Sequence, residues 1–236
     1  MASTAVKERS IRCLKQARSI VFVVLVVLTF RSSIADWNDV PTGSMKPNIL
    51  EGDRIFVNKL AYDLKIPFTT WHLAEWNNPE RGQVVVFYSP EDGIRLVKRV
   101  IGVPGDVLEM RDNKLFINDK AVEYEPLDPA AQKDFVRQIG PRAEEVIFAV
   151  ETLDGVRHPM MKDPLLVNSK SSFPKTVVPP GKYFMMGDNR DNSKDSRWIG
   201  FVDRDQIVGR ASRVVVSVDP QHGYKPRWDR FFAPLP

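Results

Sequence analysis

The feature that most constrains this chain is an uninterrupted apolar run, Ile20 to Phe30, placed directly after a basic N-terminal tail. The run is shorter than the roughly 20 residues a spanning helix needs, and it would equally suit the central part of a cleavable targeting segment. Continued through Arg31 to Trp37 it reaches a spanning length, with Arg31 snorkelling or lying at the outer interface and Trp37 as an interfacial aromatic. No A-x-A-like site stands where cleavage would release the chain, and "SSIA" at 32–35 is only a weak match. We therefore expect a retained anchor over 19–37. Residues 1–18 hold Lys7, Arg9, Arg12, Lys15 and Arg18 against Glu8, which accounts for the whole net charge of +4. The remaining residues sum to zero, so the basic excess is a topology signal with the tail in the cytoplasm, and no phosphate-binding face for nucleic acid is implied. Cys13, the only cysteine, falls on the inner side, so the exported part has no disulfide and depends on its core.

A chain of 236 residues with 43% hydrophobic and 27% charged residues can build a sizeable core and is unlike a disordered segment. Beyond the anchor it reads as mostly strand. The segments 53–62, 82–88, 95–103, 114–122, 181–187 and 206–218 are short, rich in β-branched and aromatic residues, and bounded by Gly, Pro, Asn or Asp. This pattern predicts an antiparallel sandwich or barrel, with helical periodicity only around 130–138. Residues 123–180 are rich in Pro and charge and read as a looser insertion between two core strands.

Three segments carry chemistry. In "PTGSMKPN", 41–48, Ser44 follows Gly43 and precedes a Lys-Pro pair, which presents a hydroxyl on a rigid turn. Alone this is weak, since most serines in such loops form turns. A nucleophilic serine needs a base, and the histidines His72, His158 and His222 sit in no recognisable signature. A His-based triad stays open on sequence, with nothing local in its favour, and no spacing suggests a metal site. In "IRLVKRVIGVPGD", 94–106, strand alternation puts Lys98 on one face with Leu96 and Val100. Burial there would lower the amine's pKa toward neutrality and let it accept a proton, although a lysine snorkelling from an edge strand would give the same pattern. "GDNRDNSKDSR", 187–197, is a polar loop with a carboxylate and a guanidinium two residues apart. It fails the spacing of a calcium loop.

These three segments in this order after an N-terminal apolar run, together with "EGDRIFVNKLAY" and "ERGQVVVFYSPED", resemble the bacterial type I signal peptidases, membrane-bound Ser/Lys proteases. The resemblance covers most of 40–107 and 181–210. It implies a mainly antiparallel β fold: a basic cytoplasmic tail (1–18), the anchor (19–37), a catalytic core (38–106 and 180–236) and an inserted second β-rich domain (107–179). It implies Ser44 as nucleophile and Lys98 as general base. The Ser44 N–H and the Thr42 hydroxyl would stabilise the oxyanion; the family often has serine at the latter position, and the extra methyl of Thr42 would tighten the hole. Ser193 would orient the Lys98 amine, with Gly187 leaving room beside it and Asp195 with Arg197 as a supporting ion pair. Val40, Met45, Ile49, Leu96 and Val97 would line shallow pockets for a peptide added as a strand, or simply pack the core. No cofactor is implied. The implied partners are exported preproteins and the lipid bilayer, and the protein would act as a monomer in the bacterial inner membrane with its catalytic part on the periplasmic side. Eight residues separate Asp36 from Ser44, at most about 26 Å of extended chain, so the nucleophile would work near the bilayer surface, where a signal peptide's cleavage site emerges.

Two rivals stay in view. A self-cleaving repressor-like Ser/Lys protease would need neither an anchor nor the long stretch 107–180. An anchored β domain without catalysis would keep its partner function after Ser44→Ala.

Overall fold

A computed structural model describes residues 2–69, 71–140, 144–166 and 170–236, with side chains from Gln16 onward, so the side chains of Cys13 and of the basic residues before Gln16 lie outside it. The chain opens with a helix, Ala2–Ser33. Its segment Gln16–Ser33 is long and apolar enough to cross a bilayer, and almost all of it is exposed. The helix ends four residues short of the expected 19–37 span. Lys59 donates to the terminal carbonyls of Arg31 (2.7 Å) and Ser32 (3.0 Å), a cation where the helix dipole favours one. Arg31 reaches forward to Asp36 (2.8 Å) and lies over the Trp37 ring. Asp36 and Trp37, expected inside the anchor, belong instead to a strand, Ala35–Asp39, because this segment finds backbone partners along Asp53–Asn58.

That strand edges the main sheet, which is antiparallel throughout and runs in the order 35–39, 53–58, 207–219, 84–88, 95–102, 182–186, 202–203, with 225–226 pairing on 207–219. The protein is mainly β, as expected, although Lys59–Ala61 is a 3-10 turn that ends the strand begun at Asp53 earlier than the sequence suggests. Val84, Val86 and Val97 pack into one apolar cluster with Val40, Met45 and Ile49. Val85, Phe87 and Val100 pack into a second with Tyr183, Met185 and Ile207. The central strands are thus covered on both faces, which explains why Val84–Tyr88 reads as a continuous apolar run rather than an alternating one.

Residues 123–180 are more regular than a loose insertion. Strands 107–111, 114–117, 120–121 and 173–177 form one sheet, and 123–126, 147–153 and 156–162 form another. Their hairpins turn on Asp112-Asn113, Asn118-Asp119 and Asp154-Gly155, each with two positive φ angles, the geometry that matches strand twist. A helix, Pro129–Ile139, begins with Asp128 accepting from the Ala130 and Ala131 N–H groups and Pro129 in the first turn. Its Phe135, Val136 and Ile139 pack on Leu127, Val146, Phe148 and Met161.

Candidate active site

Ser44 sits in a tight, irregular turn between the strands Ala35–Asp39 and Asp53–Asn58. Lys46 N–H donates to the Gly43 carbonyl (3.1 Å) and Ile49 N–H to the Met45 carbonyl (3.0 Å), while the buried Met45 and Ile49 side chains pin the turn to the sheet. From the other side, Asn189 donates through its backbone N–H to the Ser44 carbonyl and through Nδ2 to the Gly43 carbonyl, both at 3.1 Å. A Cβ on Gly187 would lie 2.3 Å from the Ser44 carbonyl oxygen and 2.4 Å from Ser193 Oγ, so only glycine permits this approach. The serine is therefore clamped between the sheet and the 187–197 loop, with its side chain half-buried.

Lys98 lies on strand Arg95–Gly102 opposite Val85 and is only 3% exposed. Its Nζ stands 2.6 Å from Ser44 Oγ and donates to the Val97 carbonyl at 2.9 Å. Among the described residues it forms no ion pair. Burial pulls its pKa down to about 8, against the weaker pull of Asp195 and Asp188 toward the charged form. Because the Val97 carbonyl holds one N–H, the amine's remaining valences point elsewhere, and the serine oxygen is among them.

The other expected site residues are placed as follows. Thr42 is exposed, and among the described residues neither its hydroxyl nor the Ser44 N–H makes a hydrogen bond. Ser193 does not bond to Lys98. Its buried Oγ makes no aligned hydrogen bond, although it lies near enough to the Asp195 carboxylate to favour the ionised form. Asp195 and Arg197 form a buried two-pronged pair, both bonds 2.8 Å. Burial alone would raise the Asp195 pKa, but Arg197 and the Gly187 N–H (3.0 Å) hold it below the usual range. Val40, Met45, Ile49 and Val97 lie together in one cluster, with Val40 and Val97 keeping 6% and 8% exposure, whereas Leu96 packs partly buried against the other.

Beneath the serine turn lies a charge network the sequence did not reveal. Arg99 grips Asp188 with two 2.8 Å bonds, and Asn48 Nδ2 bridges Asp188 and the Pro159 carbonyl, each at 2.7 Å. Arg190 pairs with Glu151, which also accepts from the Tyr124 hydroxyl (2.8 Å) and lies 3.1 Å from His158 Nε2. Arg99, Asp188, Arg190, Glu151 and His158 are all buried. His158 thus stands with this network, its pKa lowered by burial and by Arg99. His72 lies near Asp63 and Glu75, and His222 near Asp219. None is bonded to Ser44. Among the described residues no group of His, Cys, Asp and Glu is arranged to hold a metal.

A hydroxyl held against a desolvated amine within an antiparallel β scaffold is a pairing in which a neutral amine can take the hydroxyl's proton. The profile of the signal peptidase family, peptidase S26, matches residues 13–216. Signal peptidase I of Pseudomonas fluorescens is 35% identical over 88% of this chain and 74% of its own length, and that of Buchnera aphidicola is 32% identical over 91% and 79%. A solved signal peptidase I from Enterococcus faecalis aligns at 30% identity over 57% of this chain and 97% of that one, with a TM-score of 0.34. The chain belongs to the signal peptidase family, peptidase S26, a family of serine peptidases.

Proposed function

We propose that this protein is a membrane-anchored endopeptidase that removes N-terminal signal peptides from exported preproteins, cutting after small residues with Ser44 and Lys98 as a catalytic dyad. The observation that carries this reading is the 2.6 Å contact between Ser44 Oγ and a buried Lys98 amine that has no carboxylate partner among the described residues. Neutral Lys98 takes the Ser44 proton as Oγ attacks the scissile carbonyl, then gives it to the departing amine. The resulting ester is hydrolysed by a water that Lys98 deprotonates. The Ser44 N–H and the Thr42 hydroxyl, both without other acceptors, serve the oxyanion; losing one such donor costs roughly 10²–10³ in rate. Ser193 closes one side of the lysine's surroundings, and Asp195 with Arg197 fixes the loop that carries Gly187. Val40 and Val97 form part of a shallow pocket wall for the substrate, with Met45, Ile49 and Leu96 behind them. Segment 107–179 is assigned as an inserted domain tied to the serine turn through Asn48. The helix Ala2–Ser33 holds the catalytic part on the outer face of the inner membrane with its N-terminus in the cytoplasm.

The test is cleavage of a preprotein bearing an A-x-A site by the purified chain in detergent, compared with Ser44→Ala and Lys98→Ala. Cleavage by the wild type after the small residue, with both variants folded and inactive, is expected. Substantial activity in Lys98→Ala would overturn the dyad.

A further inference from the structure

A second site lies at the outer end of the helix. The hairpin Asp63–Lys65 and His72–Glu75 projects beside it, and the Phe68 N–H donates to Ser32 Oγ (2.7 Å), fastening the hairpin tip to the helix terminus. The tip is apolar and unpacked: Phe68 is 66% and Trp71 72% exposed, and Leu73 is equally open. Phe68 holds φ at +63°, a conformation that is costly for a bulky residue and here keeps its ring outside the core. Among the described residues neither the Phe68 nor the Trp71 ring belongs to an apolar cluster or an aromatic pair.

Between the tip and the main sheet is a cavity of about 620 Å³ lined by Lys59, Lys65, Arg95, Phe68, Trp71 and Tyr88. Three of the lining residues are cations and one, Asp205, is a carboxylate, while Asp36, Asp63 and Glu75 act on the lysines from just outside. Asp36 is already engaged by Arg31, and Asp63, beyond Lys65, is bonded to Arg204 (2.8 Å). Arg95 makes only a 3.3 Å contact to Asp36, and its Nε–H is buried with no acceptor. Burial lowers the pKa of both Lys59 and Lys65, and for Lys59 the neighbouring Arg95, Lys65 and Arg31 push the same way against Asp36. The cavity wall itself carries three cations to one carboxylate.

We propose that this cavity binds the phosphate of an anionic phospholipid, with Lys65 and Arg95 on the phosphate and Phe68 and Trp71 inserted among the adjoining acyl chains. The proposal rests on the reading of Gln16–Ser33 as a membrane anchor, which sets the tip level with the bilayer surface, where aromatics and cations both favour the interface. A lipid rather than a free phosphate is the ligand because Phe68, Trp71 and Tyr88 line the same cavity as the cations.

The experiment uses the full chain. Flotation with vesicles tests the anchor by itself. Native mass spectrometry from detergent then measures retention of phosphatidylglycerol and phosphatidylcholine by wild type, Lys65→Gln, Arg95→Gln and the double variant, with inorganic phosphate as competitor. Wild type is expected to retain one phosphatidylglycerol in preference to phosphatidylcholine, with affinity falling about fivefold for each cation removed. Cleavage of a short soluble peptide and the melting temperature should stay near wild type, and Trp71→Phe should remove part of the fluorescence quenching by lipids brominated on the upper acyl chain. If the chain floats but the variants bind phosphatidylglycerol as wild type does, the site is wrong and the anchor stands. If millimolar inorganic phosphate displaces the lipid completely, the cavity reads phosphate alone and the lipid assignment falls. If the chain does not float, the anchor reading fails and this inference with it.

Discussion

Strand alternation put Lys98 on one face with Leu96 and Val100 but left burial and an edge lysine both open; the family resemblance singled it out, and burial is what an amine needs to become a base at moderate pH. On the proposed mechanism, kcat/KM should rise as pH increases through about 8, the value to which burial brings the amine, and level off above it. Lys98→Arg should be inactive at every pH, since a guanidinium does not deprotonate. The same shift carries a stability cost. The folded-state value lies below the ordinary 10.5, so the unfolded chain binds more protons between the two and stability rises with pH across that window. Lys98→Met should therefore be more stable than wild type near pH 7 by up to about 3 kcal/mol, and urea titrations should show the gain vanishing above pH 10.5. Gly187 was legible only as a family position; its close approach to the Ser44 carbonyl is a contact between segments far apart in sequence, which no local pattern encodes. Gly187→Ala should cost roughly 1–3 kcal/mol by overpacking and lower kcat more than it raises KM, because its Cβ meets the nucleophile's own backbone.

At the scale of elements, the strands of the main sheet were found from β-branched runs between turn residues, while the hairpin 147–162 was missed. Glu151 and His158 stand opposite one another in it, and a buried acid and imidazole break the apolar alternation that marks a strand. They are tolerated because Arg190, Tyr124 and Asp188 surround them, and those partners come from other parts of the chain. The turn pairs Asp112-Asn113, Asn118-Asp119 and Asp154-Gly155 were the available signal. Residues Ala35 to Trp37 read as the end of the anchor for a related reason: the partner of the strand Ala35–Asp39, not its composition, decides its form. The network beneath Ser44 makes a definite prediction. Asp188→Asn leaves Arg99 buried without its counter-charge and should lower unfolding free energy by about 3–5 kcal/mol in urea, whereas replacing exposed Asp119, paired with Lys175, should change it by less than about 1 kcal/mol.

At the scale of the molecule, the apolar helix adds little to the core, since nearly all of its described side chains are exposed and its contacts lie at its last turn. A chain beginning at Ile34 should therefore fold and cleave soluble peptides at a rate within severalfold of the full chain, while losing most of its activity on preproteins embedded in vesicles. Paired assays on the two substrates would show the difference, and equal loss on both would mean that the helix supports the catalytic fold itself. The N-terminal apolar helix and the strand-rich body after it were legible in the sequence. What joins them was not, because the ion pairs at the seams connect residues up to 177 positions apart.

Only Ile34 separates the helix from the first strand of the catalytic sheet, and Arg31, Lys59 and Asp36 lock that corner. There is no tether on which the catalytic part could swing. On the proposed orientation the nucleophile is held at a set height above the bilayer, so the enzyme works as a depth gauge: among several bonds flanked by small residues, it cuts the one that its substrate's own anchor presents at that level. Lengthening the corner by four Gly-Ser residues should leave the chemistry intact and blur the choice of bond.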